Sequence, residues 1–162
     1  MDTPKAVLNG WYQRVVVTQK AHYLSAEHFS RKSYWLGIPV IALTAIVGTS
    51  VFATLQKQPE PRLQIAVGLA SVLAAVLASL QTFLGYSTRA EKHRVAGAKF
   101  GALGRELEAV LASSAEVSDE LIAELRKRLD VLALESPNNP MSIYRQAEKE
   151  PKDVRANNQP NT

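Results

Sequence analysis

The chain has 162 residues, a formal net charge of +4 and no cysteine, and 46% of its residues are hydrophobic against 21% charged. The lack of cysteine excludes disulfides, thiolate metal sites and thiol nucleophiles. The excess positive charge lies beside long apolar segments, where lipid headgroups attract it, and no Gly-rich phosphate loop accompanies it. We therefore expect a membrane partner, no nucleic-acid binding and no cofactor.

The first 35 residues are predicted to form an N-terminal cytoplasmic helix. Its helical part runs from Asn9 to Ser33 and leads into the apolar segment that follows. The run VVVT at Val15–Thr18 opposes this prediction, because β-branched side chains lose rotamer freedom in a helix.

Two apolar segments follow, residues 36–55 and 63–86, and neither contains a charged side chain. About 20 helical residues, each rising about 1.5 Å, cross the hydrocarbon layer of a bilayer, so both segments are long enough. A soluble bundle would need broad apolar helices to cover them, and the rest of the chain is too charged to supply these. A cleavable signal peptide would have a shorter apolar core nearer the N-terminus. The sequence predicts an all-α integral membrane protein, a two-transmembrane helical hairpin with cytoplasmic helical extensions.

Lysine and arginine are unevenly distributed around the two segments. Residues 1–35 contain five of them and residues 89–105 another five, whereas the connector 56–62 contains two. Segments on the cytoplasmic side of a membrane carry the excess of these residues. We therefore expect a multi-pass protein of the cell inner membrane, with both termini cytoplasmic and residues 56–62 as an external turn.

The second apolar segment has one face of small and polar residues, spaced at helical steps of four and three. Bulky side chains occupy the opposite face, as expected for contact with lipid. A polar amide within the segment should point at another helix or at water, because burying it unpaired in hydrocarbon is costly. The predicted helix-packing or pore-lining residues are Gln64, Gly68, Ser71, Ala75, Ala78, Gln81, Thr82 and Gly85.

Three interpretations of this small-residue face stay open. In the first, the face packs within the hairpin against Ala42, Ala45, Thr49 and Ala53 of the first segment. In the second, it associates with other copies of the chain. In the third, it lines a water-filled channel, which requires several copies in a ring because two helices cannot enclose a conduit.

Residues 87–136 are predicted to form a cytoplasmic helical region. Thr88 and Glu91 have the spacing of a capping box, but a helix that continues unbroken from the second segment fits equally well. Ser118 should cap a later helix, which should end at Ser136 because Pro137 cannot continue it. Two helical faces are expected to pack: His93, Ala96, Phe100, Leu103, Leu107 and Val110 in the first part, and Ile122, Leu125, Leu129 and Leu132 in the second.

The last segment, residues 137–162, is rich in proline and asparagine and poor in large apolar residues. We expect a mostly disordered tail there, because such a segment buries too little apolar surface to offset the entropy of ordering.

No catalytic or metal-binding residue is predicted. His22, His28 and His93 do not have the spacing of a metal-binding pair, and a lone histidine beside a membrane is usually a polar helix residue. Neither apolar segment contains a charged group, which argues against a proton-driven transporter. The chain is therefore not expected to be an enzyme.

Five segments, GWYQR, AHYLSAEHF, YWLGIPVIALTAIVGTSVFA, LQTFLGYSTRAEKHRVAGAKFGALGRELE and ELRKRLDVLALESPNNP, occur in this order between residues 9 and 140. Together they resemble the SLATT domain family of bacterial two-transmembrane effectors. The resemblance implies a role in prokaryotic conflict systems, including antiviral defence against phage. Such modules are encoded beside nucleotide-signal synthases, nucleotide sensors or reverse transcriptases, so the trigger should come from a separate partner or a diffusible signal.

Two functions are consistent with these features. In the first, the chain is a membrane effector that forms a homo-oligomer and a pore, and permeabilises the inner membrane on receiving a cytoplasmic signal. In the alternative, it is a passive membrane anchor or scaffold that recruits a cytoplasmic partner through its helical extensions.

Overall fold

Every regular element of the described chain is an α-helix. The structure, a computed structural model, describes residues 3–54 and 60–157, with side chains described for residues 3–50 and 60–149. The predicted all-α fold is confirmed, whereas most of the predicted external turn lies outside the described residues. The five helices are α1 (Pro4–Thr54), α2 (Pro61–Leu84), α3 (Tyr86–Ala112), α4 (Asp119–Glu135) and α5 (Met141–Asn157).

Helix α1 runs without a break through the predicted N-terminal helix and the first apolar segment, with Pro39 inside it. The β-branched run does not interrupt it. Val15 is buried, and packing outweighs a helix propensity that is only about 0.5 kcal/mol per residue weaker than that of alanine. The chain divides into two compact units, which we call the hairpin unit (His28–Arg89) and the polar unit (Met1–Glu27 with Ala90–Thr162).

The hairpin unit leaves most of its apolar surface uncovered. Each of the two long apolar stretches contains an 18-residue apolar segment of which 6% is buried. A core helix of a soluble protein, in contrast, is mostly buried. Ile41 is 69% exposed, Leu69 68% and Phe83 85%. Aliphatic and aromatic side chains that are exposed to this extent suit contact with hydrocarbon and not with water.

Helix α2 has clear signals at both ends. It follows an extended Glu60 and has proline at its first position, where a missing N–H costs little. It ends at Gly85, which has a φ of 55° and donates its N–H to the carbonyl of Gln81 at 3.2 Å. Glycine adopts this left-handed conformation without strain. Because α3 begins at the next residue, the helix is broken at Gly85 and neither continuous nor capped at Thr88.

Helix α3 supplies the central face of the polar unit. The face predicted from helical spacing is confirmed, since His93, Ala96, Phe100, Leu103 and Leu107 are buried and Val110 is half-buried. Leu8 and Val15 of α1 and Leu125 and Leu132 of α4 join the same apolar cluster. Helices α1 and α4 therefore both contribute to this core, and α3 lies at its centre.

Helix α1 approaches α3 closely at three glycines. A Cβ atom added at any of them would lie 2.6 to 3.3 Å from an α1 side chain, nearer than ordinary van der Waals contact. Glycine at these positions leaves room for the α1 side chains that lie against α3. The pairs are Gly97 with Tyr23, Gly101 with Gln19 and Gly104 with Val15.

Alanine at Gly101 is expected to leave the stability of the polar unit unchanged or slightly higher. The new Cβ would lie 2.6 Å from Nε2 of Gln19, but this amide ends a flexible side chain that can turn away. Alanine also favours a helix over glycine by about 0.5–1 kcal/mol. At Gly97 the same change meets the rigid ring of Tyr23 at 3.3 Å, so Gly97→Ala should have the lower urea midpoint of the two variants. The reverse order would contradict this packing.

Helix α4 begins and ends where the sequence predicts. The Ser118 hydroxyl accepts a hydrogen bond from the backbone N–H of Leu121 at 3.3 Å, and Ser136 caps the C-terminus. Exposed ion pairs, Lys99 with Glu135 and Arg128 with Glu106, join α3 to α4. Such pairs contribute about 0–1 kcal/mol each, so the apolar face of α4 accounts for most of its attachment.

The prediction of a mostly disordered tail is wrong for Met141–Asn157, which forms α5. Ile143 and Ala147 lie one helical turn apart, and they are 8% and 0% exposed. Two small apolar contacts on one face are enough to dock a helix whose overall composition is polar. The prediction failed because it considered the composition of the segment and not the helical spacing of its apolar residues.

Candidate functional site

The small-residue face of α2 divides between two environments. Ser71 and Ala78 are half-buried and belong to the side of α2 on which Ala74 is buried. Gly85, at the end of the helix, is half-buried as well. The remaining predicted residues are exposed: Gln64, Gly68, Ala75, Gln81 and Thr82. Ser71 and Ala78 therefore lie within the hairpin, whereas Gly68, Ala75 and Thr82 lie on its outer surface.

The first membrane helix does not pack as the first interpretation expects. Ala42, Ala45 and Thr49 are exposed, and Ala53 lies outside the described side chains. The side of α1 that is covered carries Gly37, Val40, Leu43, Val47 and Ser50. The small residues Ala42, Ala45 and Thr49 thus lie on the outer surface of the hairpin unit, as do Gly68 and Ala75 of α2.

Two hydroxyl groups of the small-residue face bond within α2 itself. Ser71 Oγ donates to the carbonyl of Val67 at 2.8 Å, and Thr82 Oγ1 donates to that of Ala78 at 3.1 Å. Each of these donors is satisfied without water, so the two residues tolerate contact with lipid or with another helix. They carry no charge, so a surface formed by them would discriminate weakly between ions of opposite sign.

Gln81 lies against the backbone of α1. A Cβ atom added at Gly37, which is buried, would be 3.2 Å from Nε2 of Gln81. The Gln81 amide therefore points at a neighbouring helix, as expected for an amide in hydrocarbon. Gly37 provides the space for it, because even an added Cβ atom would lie nearer to the amide than ordinary van der Waals contact.

A buried polar cluster in the polar unit was missed by the sequence analysis. His22 of α1 and His93 of α3 are 2% and 3% exposed, and their Nδ1 atoms are 3.0 Å apart. Ser25 is fully buried and donates to Oδ1 of Asn139 at 2.9 Å, and the Asn139 side chain also bonds to His93. Helical spacing placed His93 on a buried face, but no sequence signal linked it to a residue 71 positions away.

An open groove of about 330 Å³ lies between α1, α3 and α4 in the polar unit. Its floor is apolar, with Val15 and Phe100, while its rim carries the indole of Trp11 and the guanidinium groups of Arg14 and Arg126. The Nε atom of Arg126 also lies 3.8 Å from Oδ2 of Asp130 on the same helix. This mixture of apolar and cationic groups suits contact with a protein or an anionic molecule.

The sequence model of the SMODS and SLOG-associating 2TM effector domain family 4 matches residues 5–153, almost the whole chain. The chain belongs to this family. Its resemblance to SLATT domains is thereby confirmed, and so is its assignment as a two-transmembrane effector domain associated with conflict systems. No curated protein and no solved structure matches the chain. Within this family of membrane proteins, the apolar stretches of α1 and α2 are the two transmembrane segments.

Proposed function

We propose that this chain is an effector of a prokaryotic antiviral conflict system that oligomerises in the inner membrane and permeabilises it by forming a pore. Both termini face the cytoplasm, and a separate nucleotide-signal synthase, sensor or reverse transcriptase provides the trigger. Family membership supports the role of effector. The observation that carries the proposal is the exposure of small residues on the outer surface of both membrane helices.

This exposure matters because lipid offers no hydrophobic drive for helices to associate. Close backbone approach and interhelical hydrogen bonds take its place, and small residues permit both. Gly68, Ala75 and Thr82 recur at heptad spacing on exposed positions of α2, so one copy can present them to a helix of the next copy. A ring of such contacts encloses a lumen, which a single hairpin cannot do.

Leucine at Gly68 and Ala75 together is expected to abolish membrane leakage. The two bulky side chains would separate helices that must approach closely, while leaving the covered side of α2 unchanged. The measurement is release of a trapped dye from liposomes containing the reconstituted full chain, together with loss of membrane potential in cells that express it. Release should fall to the level of protein-free liposomes.

Val72→Leu with Val76→Leu is the matched control, because it adds methylene groups to exposed, already bulky positions of the same helix. This variant should leak like the natural chain. Equal leakage from the control and from the Gly68→Leu, Ala75→Leu variant would remove the small-residue surface from the mechanism, and an unchanged membrane potential in phage-infected cells that carry the natural chain with its partner would exclude the pore.

The groove of the polar unit favours one alternative function, a membrane anchor or scaffold that recruits a partner. Trp11 and Arg14 on its rim are residue types that often carry protein contacts. Replacing the hairpin with an unrelated two-helix anchor separates the two functions. A scaffold would keep its cellular activity in that chimera, whereas a pore-forming effector would lose it.

A further inference from the structure

The histidine pair joins three segments of the polar unit that are distant in sequence. His22 and Ser25 belong to α1, His93 belongs to α3, and Asn139 lies in the connection between α4 and α5. The ring of His22 also stacks on Phe100, with centroids 5.4 Å apart and an interplanar angle of 16°. These contacts fix the α4–α5 connection to the two helices that lead into the membrane segments.

The contact between the two rings depends on the number of protons they hold. At 3.0 Å, one Nδ1 atom must donate a proton and the other must accept it. Two neutral rings satisfy this requirement, and so does one imidazolium beside one neutral ring. Two imidazolium rings would place two N–H groups and two positive charges against each other, which breaks the contact.

The buried environment of His22 and His93 disfavours protonation of either ring. Burial, followed by the positive charge of His93, lowers the pKa of His22 from 6.5 to about 4. Burial also lowers the pKa of His93, although the hydrogen bond to Asn139 opposes that shift. The second proton, which breaks the contact, therefore goes to His22.

No carboxylate or ammonium group is among the causes of the two pKa shifts. The buried side chains that α4 and α5 contribute to the described part of this unit are apolar. On α1 and α3 the neighbouring charged residues are half-buried or exposed, and the shifts in both pKa values arise from burial, the partner ring and Asn139. The neighbouring charged residues are Lys20, Glu27, Glu91, Lys92 and Arg94.

We propose that His22, His93 and Asn139 form an acid-released latch, which holds the α4–α5 connection on α1 and α3 at neutral pH and frees it when both rings are protonated. Release uncovers apolar positions that the latched state buries, among them Ile143 and Ala147. The latch thus regulates access to this surface by local pH, and it operates whether or not the hairpin conducts.

The direction of the pH effect follows from linkage. A released His22 binds its proton with the ordinary pKa of 6.5, whereas the latched ring binds it with a pKa of about 4, so protons favour release. The latch is strongest at pH values above 6.5 and weakens as the pH falls from 6.5 towards about 4. From these two pKa values, His22 alone should raise the ratio of released to latched chains about 20-fold between about pH 7 and about pH 5.

Spin labels on the full chain in lipid nanodiscs test this directly. The chain has no cysteine, so labels at Ser142→Cys of α5 and Ala98→Cys of α3, both exposed positions, report one distance. A single short distance is expected near neutral pH, with a longer one growing by about 20-fold in relative population near about pH 5. An unchanged distribution would overturn the latch.

Two further measurements separate the latch from general acid unfolding. His28→Gln removes an exposed histidine outside the pair and should leave the titration unchanged, whereas His22→Asn with His93→Asn should remove its pH dependence. NMR titration of ring-labelled histidines in the unsubstituted chain needs no variant. Finding that His22 and His93 both titrate at the ordinary value while the distance stays short would also overturn the proposal.

Discussion

Replacing Leu125 with alanine is expected to lower the free energy of unfolding of the polar unit by about 2–5 kcal/mol, the usual cost of a cavity in a core. Leu125 is fully buried in the cluster that joins α1, α3 and α4. The side chains around it come from three helices, so they cannot all move to fill the space. This is the largest single effect we expect in the chain.

The matched control lies on the same helix. Leu134 is 86% exposed, so Leu134→Ala should change the stability by less than about 0.5 kcal/mol. Urea unfolding of the full chain in detergent, followed by Trp11 fluorescence in a Trp35→Phe background, reports on the polar unit, because Trp11 packs against this cluster. Equal midpoints for the two alanine variants would contradict the core described here.

Leucine at Gly37 should have the second-largest effect, because it fills the space that lets the two membrane helices meet. Gly37 is buried, and even a Cβ atom there would lie 3.2 Å from the Gln81 amide. Forcing a larger side chain into a packed site costs about 1–3 kcal/mol. It also turns the amide toward lipid, where it has no partner. We expect the helices to separate on this side of the hairpin.

Gly48→Leu is the control for this variant, since an added Cβ atom at Gly48 would meet no other atom within 4 Å. Spin labels at Ala45→Cys and Ser79→Cys, both exposed, measure the separation of the helices in nanodiscs. The distance should increase for Gly37→Leu and stay constant for Gly48→Leu. An increase in both variants, or in neither, would show that Gly37 is not a packing position.

Much of the fold could be predicted from local patterns. The two transmembrane segments follow from length and apolar composition, and α4 follows from Ser118 at one end and Pro137 at the other. The packed faces of α3 and α4 follow from helical spacing. These features depend on interactions within one turn or one segment, so the order of residues along the chain is sufficient to reveal them.

The packing of the hairpin could not be read in the same way. Several sides of α1 and α2 are apolar, so hydropathy does not distinguish the side that meets the other helix from the side that meets lipid. Gly37 and Gln81 determine which sides of the two helices meet, because a small residue on one helix accommodates a large polar one on the other. The small residues Ala42, Ala45 and Thr49 consequently lie outside.

The sequence by itself determined that this protein has two membrane helices, where α4 begins and ends, and which faces of α3 and α4 are buried. Only the tertiary structure decided that His22 meets His93, that Asn139 joins them, and that α5 docks through Ile143 and Ala147. The physical reason is distance along the chain. Periodicity reports which side of a helix is buried, but the partner of a buried side chain depends on how separate helices come together.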